Sequence, residues 1–328
     1  MLDAVRKKIE DRLPQEKINH LRGVLVAWWN GVEGPLVLDE VVEEGGKVAP
    51  VQKKPQAKKT EYPEPSAEDL IRLRIMIAEA LWGDGYVGPG DHEFIMELVT
   101  QFGLTKEHSV AIIGAGLAGP GRDITKDTGA WVSAFENHEE ISDLAREQCA
   151  VAGLAKRCVI TDFDQTTTEL PESKFQAILS FDRFYAVEDK SKLLDNVAQG
   201  IAGDGGVLFT DYVVPTTPDQ AKAETWFDSY WGTPHLTTAQ EYIQALSAMG
   251  LDLRVKQDIT SQYAELITAA MPKWKELINL TNDEVVDSIG RVAYARVLAQ
   301  EAEMWANRLE ALSKGELQVY RFLALKLG

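Results

Sequence analysis

The sequence predicts an α/β protein built on a doubly wound, mainly parallel sheet. Three observations support this fold class. Short apolar segments alternate with amphipathic helical patterns from residue 109 onward, the first apolar segment runs directly into a glycine-rich turn, and acidic residues follow the next apolar segments. Such alternation implies right-handed crossovers between parallel strands, with ligand sites at the carboxyl ends of the strands.

Seven strands are predicted in this alternation, the last of them as an edge strand, at residues 109–113, 131–135, 157–161, 176–180, 206–211, 252–258 and 318–325. Helical patterns separate them at 138–152, 189–201 and 237–249, and a long helical segment covers 261–314. Ahead of the first strand, Ser66 caps a helical pattern, and a second helix follows at about 93–102. The expected architecture is a Rossmann-like, seven-stranded sheet with an N-terminal helical arm and helical additions.

The composition limits the partners that this protein can attract. With 34 Lys and Arg against 51 Asp and Glu, the net charge of -17 repels polyanions, so neither nucleic acid nor an anionic membrane is an expected partner. The two cysteines are too few for a disulfide framework, and no apolar run approaches the ~20 residues of a membrane span. These features predict a cytoplasmic protein. None of the five histidines has a spacing that suggests a metal site.

The first strand, 109–113, opens into the glycine-rich sequence Gly114-Ala115-Gly116-Leu-Ala-Gly-Pro-Gly. Glycines let the backbone approach a ligand, and Glu136, at the end of the second strand, can accept both hydroxyls of an adenosine ribose. The pattern predicts a nucleoside site, and it also resembles the dinucleotide fingerprint of flavin enzymes. The long preceding arm, Pro120 and Gly121 in the first turn of the helix, and the lack of a second flavin motif weigh against a flavin.

Polar residues at the next three strand ends extend the pattern. Asp164 and Gln165 follow the third strand, where a carboxylate can accept from the adenine amino group, and Ser180-Phe-Asp182 and Thr210-Asp211-Tyr212 end the fourth and fifth strands. In order and spacing, residues ~85–260 resemble the class I S-adenosylmethionine-dependent methyltransferases. The pattern is most similar to that of the small-molecule N-methyltransferases that act on phosphoethanolamine and on glycine or sarcosine.

This resemblance implies roles for individual residues. The turn Trp82–Gly90 is similar to the segment that closes over the cofactor in phosphobase methyltransferases, which implies contacts from Val87 and Gly88. Asp182 stands where those enzymes carry an Asp that contacts the substrate amine. The chain departs from the family pattern at three positions. Ala186 stands where the family has a His, and Gly232 and Pro234 stand where the family has the Arg and Tyr that bind the substrate phosphate. These departures argue against a phosphobase acceptor.

The expected cofactor is S-adenosylmethionine, and the expected partner is a small-molecule methyl acceptor. The cofactor-binding candidates are Val87, Gly88, Gly114, Ala115, Gly116, Glu136, Asn137, Asp164, Gln165 and Ser180. The catalytic candidates are Asp182, which would orient or deprotonate the acceptor, His235, which would act as a base for a hydroxyl, and Tyr212. Asp211, Tyr230 and Trp231 are the substrate candidates, because the aromatic-rich connection 226–235 is typical of a lid over the acceptor.

The predicted domains are a helical segment at 1–44, an extended linker at 45–65 and a methyltransferase domain at 66–328. Within that domain, residues ~85–215 form the cofactor half, and residues ~216–328 form the lid and substrate half. The Trp28-Trp29 pair favours packing of the first segment against the body or against a second subunit, as in a homodimer. The predicted function is methyl transfer to nitrogen, oxygen or sulfur of a small polar metabolite. A flavin- or nicotinamide-dependent oxidoreductase and a catalytically inactive, methyltransferase-like binding protein remain alternatives.

Overall fold

A computed structural model describes residues 65–164, 169–227, 229–280 and 283–327 of the chain. The predicted helical segment at 1–44, with its Trp28-Trp29 pair, lies outside the described residues, as does all of the 45–65 linker except Pro65. Gln165 also lies outside them. None of the helices in the described ranges has the length and apolar character of a transmembrane span.

The helices and strands alternate as predicted. The helices are α1 (Ala67–Trp82), α2 (His92–Val99), α3 (Gly119–Thr128), α4 (Glu139–Val151), α5 (Lys190–Gly200), α6 (Gln220–Glu224), α7 (Ala239–Ala248), α8 (Thr260–Ala269), α9 (Met271–Ile278), α10 (Glu284–Ile289) and α11 (Arg291–Lys314). The strands are β1 (Ser109–Ile113), β2 (Trp131–Glu136), β3 (Cys158–Asp162), β4 (Phe175–Phe181), β5 (Ile201–Val213), β6 (Leu251–Asp258) and β7 (Gln318–Lys326). Short 3₁₀ helices cover Thr100–Phe102, Phe184–Ala186 and Ser229–Trp231.

The seven strands form one sheet in the order β3-β2-β1-β4-β5-β7-β6. Strands β1 to β5 are parallel to one another, and β7 is antiparallel to both β5 and β6. The chain moves outward in one direction from β1 and in the other from β4, so the strand order reverses between these two adjacent strands. In doubly wound sheets this reversal opens a crevice at the carboxyl ends of the strands, where ligands bind.

Apolar side chains cover both faces of the sheet. On one face, Ile112, Leu179 and Leu208 pack in a cluster with α1 and α11, and on the other, Ile113 and Phe209 pack in a cluster with α5 and α7. Successive residues of a strand point to opposite faces, so a strand with helices on both sides is apolar along its length. This burial holds the strand ends of β1, β2, β4 and β5 in fixed relative positions.

The structure corrects the prediction for the last strand. We expected residues 318–325 to form an edge strand, but β7 lies inside the sheet, with Phe209 opposite Phe322 on one side and Val255 opposite Leu323 on the other. Most of its residues are buried, as an interior position requires, whereas β6 is mostly exposed and forms the edge. Strand β5 is also longer than predicted, because it covers Ile201–Val213 and not only residues 206–211.

Candidate active site

A glycine turn leads the chain out of β1 at the point where the strand order reverses. Gly114 and Gly116 have φ of 76° and 53°, in the left-handed region that favours glycine. The amides of Gly114 and Ala115 both donate to the carbonyl oxygen of Phe135, at 2.9 Å each. These bonds bring the turn against the carboxyl end of β2, where Glu136 lies.

Glu136 is a buried carboxylate that accepts backbone hydrogen bonds from two sides. Its Oε2 accepts from the Gly116 amide at 2.8 Å, and its Oε1 accepts from the amides of Asn137 and His138 at 3.0 and 3.2 Å. An ionised carboxylate offers about four acceptor positions, so Oε2 keeps one for another donor. The sequence identified this carboxylate, and the structure adds that it also holds the glycine turn in place.

The segment 83–90 covers the glycine turn. The Gly119 amide donates to the carbonyl oxygen of Gly85 at 3.0 Å, and Val87 Cγ2 lies only 3.0 Å from the position that a Cβ on Gly116 would take. The Tyr86 hydroxyl donates to Asp123 on α3 at 2.5 Å. The backbone of Gly85 leaves no room for a Cβ at position 119, and the Val87 side chain leaves little room for one at position 116, which explains why both residues are glycine.

Asp182 follows β4 directly and has a φ of 56°, which is rare for an aspartate. Its Oδ1 accepts from the Thr210 hydroxyl at 2.7 Å, and its Oδ2 accepts from the Tyr263 hydroxyl at 2.5 Å. Burial raises the pKa of Asp182 to about 6, although the bonds from Tyr263 and Thr210 oppose this rise. A carboxylate with a pKa near neutrality can exchange a proton with a bound acceptor.

The glycine turn and Asp182 line the same cavity, which encloses about 90 Å³. Of the predicted site residues, the cavity also brings together Val87, Gly88, Gly114, Ala115, Tyr212 and Trp231. Helices α1 and α11 close it with Trp82 and Trp305, whose rings lie 4.8 Å apart. Sites for small molecules usually measure roughly 300–1,000 Å³, so a nucleoside-sized ligand requires the walls of this cavity to move.

Other predicted residues lie away from the cavity. Asp211 is next to Tyr212 in β5 and therefore faces the opposite side of the sheet, where it accepts from the Tyr242 hydroxyl at 2.6 Å and the Tyr185 amide at 3.0 Å. Asp211 was expected to lie beside Tyr212 in the acceptor cavity, and the structure places it outside that cavity. Burial raises the pKa of Asp211 to about 7.

His235 lies on that same opposite side. Its amide donates to the carbonyl oxygen of Tyr185 at 2.8 Å, its own carbonyl accepts from Lys190, and it lines a separate groove with Tyr242. A base that serves the acceptor must reach its proton within hydrogen-bond distance. The expected role of His235 as a base for a hydroxyl is therefore not supported by its position.

The remaining candidates are held by local contacts. The Ser180 hydroxyl is fully buried and donates to the carbonyl oxygen of Ile113 at 3.0 Å, so it joins β4 to β1. Tyr230 stacks on the ring of His138 with 4.8 Å between the ring centres. Asn137 contacts Glu136 through its amide, and Asp164 is exposed just beyond β3. Their predicted binding roles stay predictions.

Three residues of the site were missed at the sequence level. Tyr263 lies on α8, 81 residues after the aspartate to which it donates, and no local pattern links the two. Arg183 follows Asp182 and also lines the cavity. Arg308 on α11 is buried at the cavity wall among the rings of Tyr212, Phe227 and Trp305, at 5.0, 4.6 and 4.2 Å from the ring centres. Charged residues on the mostly apolar buried face of α11, Glu301 and Arg308, were the one available signal.

The described residues contain no group of three or more His, Cys, Asp or Glu side chains arranged to hold a metal ion. No family model matches the chain. The phosphoethanolamine N-methyltransferase of Plasmodium falciparum is 26% identical over 200 residues, which cover 59% of this chain and 72% of that protein. Phosphoethanolamine N-methyltransferase 1 of Zea mays is 23% identical over 255 residues, or 77% of this chain and 48% of that protein.

Among solved structures, phosphoethanolamine N-methyltransferase 2 of Haemonchus contortus, in complex with phosphomonomethylethanolamine and S-adenosylhomocysteine, superposes with a TM-score of 0.65. It is 18% identical and covers 77% of this chain and 57% of that one. The homologues of this chain are thus phosphoethanolamine and sarcosine/dimethylglycine N-methyltransferases, and its structural neighbours are S-adenosylmethionine-dependent methyltransferases. The predicted family and fold class are confirmed. The chain spans about half the length of the plant relative.

The cavity of this methyltransferase homologue has the features that an adenosine-containing cofactor needs. Added Cβ atoms on Gly114 and Gly116 would meet the side chains of Arg183 and Val87 at 2.3 and 3.0 Å, so only glycine lets other groups approach the backbone of the turn this closely. The carboxylate of Glu136 lies beside the turn, where Oε2 has an acceptor position left for a hydroxyl donor. The donor and acceptor groups therefore fit the cofactor of the family, whereas the small volume requires side chains to move.

Proposed function

We propose that this protein is an S-adenosylmethionine-dependent methyltransferase whose acceptor is a small molecule with an acidic group. The observation that carries the proposal is the single cavity shared by the glycine turn after β1 and by Asp182 after β4. The homology described above supports the same activity, and it favours this activity over an oxidoreductase. The cofactor, when bound, supplies a methyl group on a cationic sulfonium.

Residues of the cofactor half hold the donor in this proposal. The backbone at Gly114 and Ala115 gives close access, Glu136 accepts from the ribose through Oε2, and Val87 and Gly88 cover the opposite side. Because Trp82 and Trp305 close the cavity, bound reactants are shielded from water. Methyl transfer is an in-line displacement, so alignment and exclusion of water account for much of the rate increase.

Asp182 acts on the acceptor nucleophile in this proposal. Its carboxylate is fixed by two hydroxyl donors, Thr210 and Tyr263, and keeps its remaining lone pairs for a donor in the cavity. In the ionised form it orients an amine or takes a proton from it. Tyr212, which lines the same cavity, contributes to the wall against which the acceptor lies.

The surroundings of Arg308 favour an acceptor that carries an acidic group. The protein carries a net charge of -17, yet three arginines line this one cavity. Arg74 lies 3.7 Å from Glu301, and Arg183 lies 3.8 Å from Glu136. Within the described ranges no carboxylate lies within salt-bridge distance of Arg308. Its guanidinium group contacts the Trp226 carbonyl oxygen at 2.8 Å, the Tyr212 hydroxyl, the Met304 sulfur and three aromatic rings. A carboxylate on the acceptor would give this buried cation a counter-ion at bonding distance.

Calorimetry with S-adenosylhomocysteine, followed by a radiolabelled methyl-transfer screen, tests the function. We expect binding, and we expect transfer to amines that carry a carboxylate in preference to their uncharged analogues. Asp182→Asn should lower the turnover number by roughly 10²-fold or more and leave the affinity for S-adenosylhomocysteine unchanged. The exposed Asp204→Asn is the matched control and should retain activity.

Each failure of these experiments has a specific meaning. A protein that does not bind S-adenosylhomocysteine is not a methyltransferase of this kind. A protein that binds it but transfers no methyl group to any acceptor is the inactive binding protein that the sequence left open. Equal transfer rates for charged and uncharged acceptors would contradict only the proposed role of Arg308 and would leave the methyltransferase activity in place.

The proposal also includes a cytoplasmic location and a homodimeric assembly. Both cysteines, Cys149 and Cys158, are buried and free, which supports the reducing environment of the cytoplasm. A homodimer formed through the N-terminal arm stays part of the proposal, and analytical ultracentrifugation of the full chain tests it.

A further inference from the structure

Arg183 lies across the glycine turn. A Cβ built on Gly114 would be 2.3 Å from Cγ of Arg183 and 2.6 Å from its Cβ, so the aliphatic part of the side chain rests directly on this glycine. Its guanidinium group lies 3.8 Å from Glu136 Oε1 and 5.1 Å from the centre of the Trp231 ring. One side chain therefore extends from the first glycine of the turn to the carboxylate at the end of β2.

The backbone at the end of β4 directs Arg183 to this place. Asp182 has a φ of 56°, and its amide donates to the carbonyl oxygen of Thr210 at 2.9 Å, which fixes the turn. Because of this turn, the Asp182 carboxylate faces Tyr263 and Thr210, while the next side chain faces the glycine turn. The two charged residues serve different ends of the same cavity.

The contact between Arg183 and Glu136 has an electrostatic cause. The Glu136 side chain is fully buried, and a buried carboxylate needs a counter-charge or several hydrogen-bond donors. Among the described residues, Arg183 is the cation within 4 Å of the Glu136 carboxylate. The two hydroxyls of a ribose are donors too, so a bound nucleoside and the guanidinium group would compete for the same carboxylate.

We propose that Arg183 is an internal occupant of the nucleoside site, which the cofactor must displace in order to bind. The inference rests on the proposed function, because it assumes that the nucleoside binds between the glycine turn and Glu136. It explains why the cavity encloses only about 90 Å³ although its polar groups fit a much larger ligand. Occupancy by Arg183 reduces the fraction of molecules that are ready to bind, and the apparent affinity falls by that fraction.

The test is calorimetric titration of the full chain with S-adenosylhomocysteine, for the wild type, Arg183→Met and Lys126→Met. Methionine keeps an unbranched apolar side chain and removes the charge, so we expect Arg183→Met to bind roughly fivefold to tenfold more tightly. Lys126 is exposed on α3, and its variant removes the same charge without reaching the cavity, so its affinity should match the wild type. Arg183→Lys keeps the charge and should fall between the wild type and Arg183→Met.

Tighter binding is a result that a purely structural role of Arg183 cannot produce, because lost packing weakens a site. Unchanged or weaker binding by Arg183→Met, in a variant whose thermal unfolding matches the wild type, would overturn the inference. If Arg183→Met does not fold, Arg183→Gln takes its place with the same expected direction. If the wild type itself does not bind S-adenosylhomocysteine, the proposed function fails and this inference fails with it. Binding by the wild type without tightening in the variants refutes the inference alone.

Discussion

Two aspartates at neighbouring strand ends show how position in the sheet decides the role of a residue. Asp182 and Asp211 are each bonded to a buried tyrosine, Tyr263 at 2.5 Å and Tyr242 at 2.6 Å, and burial raises the pKa of both, to about 6 and about 7. Only Asp182 lines the cavity with the glycine turn. Asp211 joins β5 to α7 on the other face, where it supports the structure.

The pKa of Asp182 predicts the acid side of the pH profile. The carboxylate is protonated below about pH 6, so kcat/KM should fall as the pH drops through that value and should level off above it. Tyr263→Phe removes a hydrogen bond that stabilises the ionised form. We therefore expect the pKa to rise further, by about one unit, and the acid limb to move to higher pH.

Tyr242→Phe is the matched control for that experiment. It removes a buried hydroxyl from Asp211, on the face of the sheet away from the cavity, and should leave the acid limb of kcat/KM where it is in the wild type. An acid limb that does not move in Tyr263→Phe would show that Asp182 is not the group that titrates.

At the scale of elements, the site depends on how closely the segment 83–90 approaches the start of α3. Arg122 on α3 donates to the Asp84 carboxylate at 2.9 Å and to the Asp84 carbonyl oxygen at 3.1 Å, and the Gly85 amide donates to Glu79 at 2.9 Å. These bonds hold the segment 83–90 against the glycine turn from both sides. A ligand of nucleoside size requires this cover to move as well as Arg183.

Gly119→Ala tests the close approach of these elements. The added Cβ would lie 2.6 Å from the carbonyl oxygen of Gly85 and 2.8 Å from the Tyr86 ring, so the segment must move away. We expect the free energy of unfolding to fall by about 1–3 kcal/mol, measured by urea denaturation. Gly203→Ala places a Cβ where no atom lies within 4 Å and should change stability little. Equal effects of the two substitutions would contradict the described packing.

At the scale of the whole molecule, β7 joins the edge strand β6 to the rest of the sheet. Phe322 in β7 is fully buried and stacks on Phe209 of β5 with 4.9 Å between ring centres, and it also contacts Tyr242 of α7. The Val319 amide donates to the hydroxyl of Thr260, the first residue of α8, at 3.0 Å. The C-terminal strand is thus part of the core that positions β5 and the helices after β6.

Phe322→Ala should lower the free energy of unfolding by about 3–5 kcal/mol, because it leaves a cavity between β5 and α7. Leu327→Ala, one residue beyond β7 and 64% exposed, is the control and should have an effect below about 0.5 kcal/mol. Chemical denaturation followed by circular dichroism measures both. A small loss for Phe322→Ala would mean that β7 contributes less to the core than its burial indicates.

The sequence alone determined the fold class, the family, and the glycine turn with Glu136, because these are encoded by local patterns. Alternating apolar segments specify strands and helices, and the glycines of the turn supply the positive φ values at Gly114 and Gly116. The opposite orientation of Asp211 and Tyr212 was also available from the twofold period of a strand, although the prediction placed them together.

Only the tertiary structure decided which polar groups meet. Tyr263 reaches Asp182 across 81 residues, Arg308 reaches Tyr212 across 96, and β7 enters the sheet between two strands that precede it in the chain. Such contacts depend on how helices pack on the sheet, which no local pattern encodes. The position of Arg183 over Gly114 is of the same kind: its neighbour Asp182 was predicted, but the direction of its side chain depends on the turn after β4 and on the buried charge of Glu136.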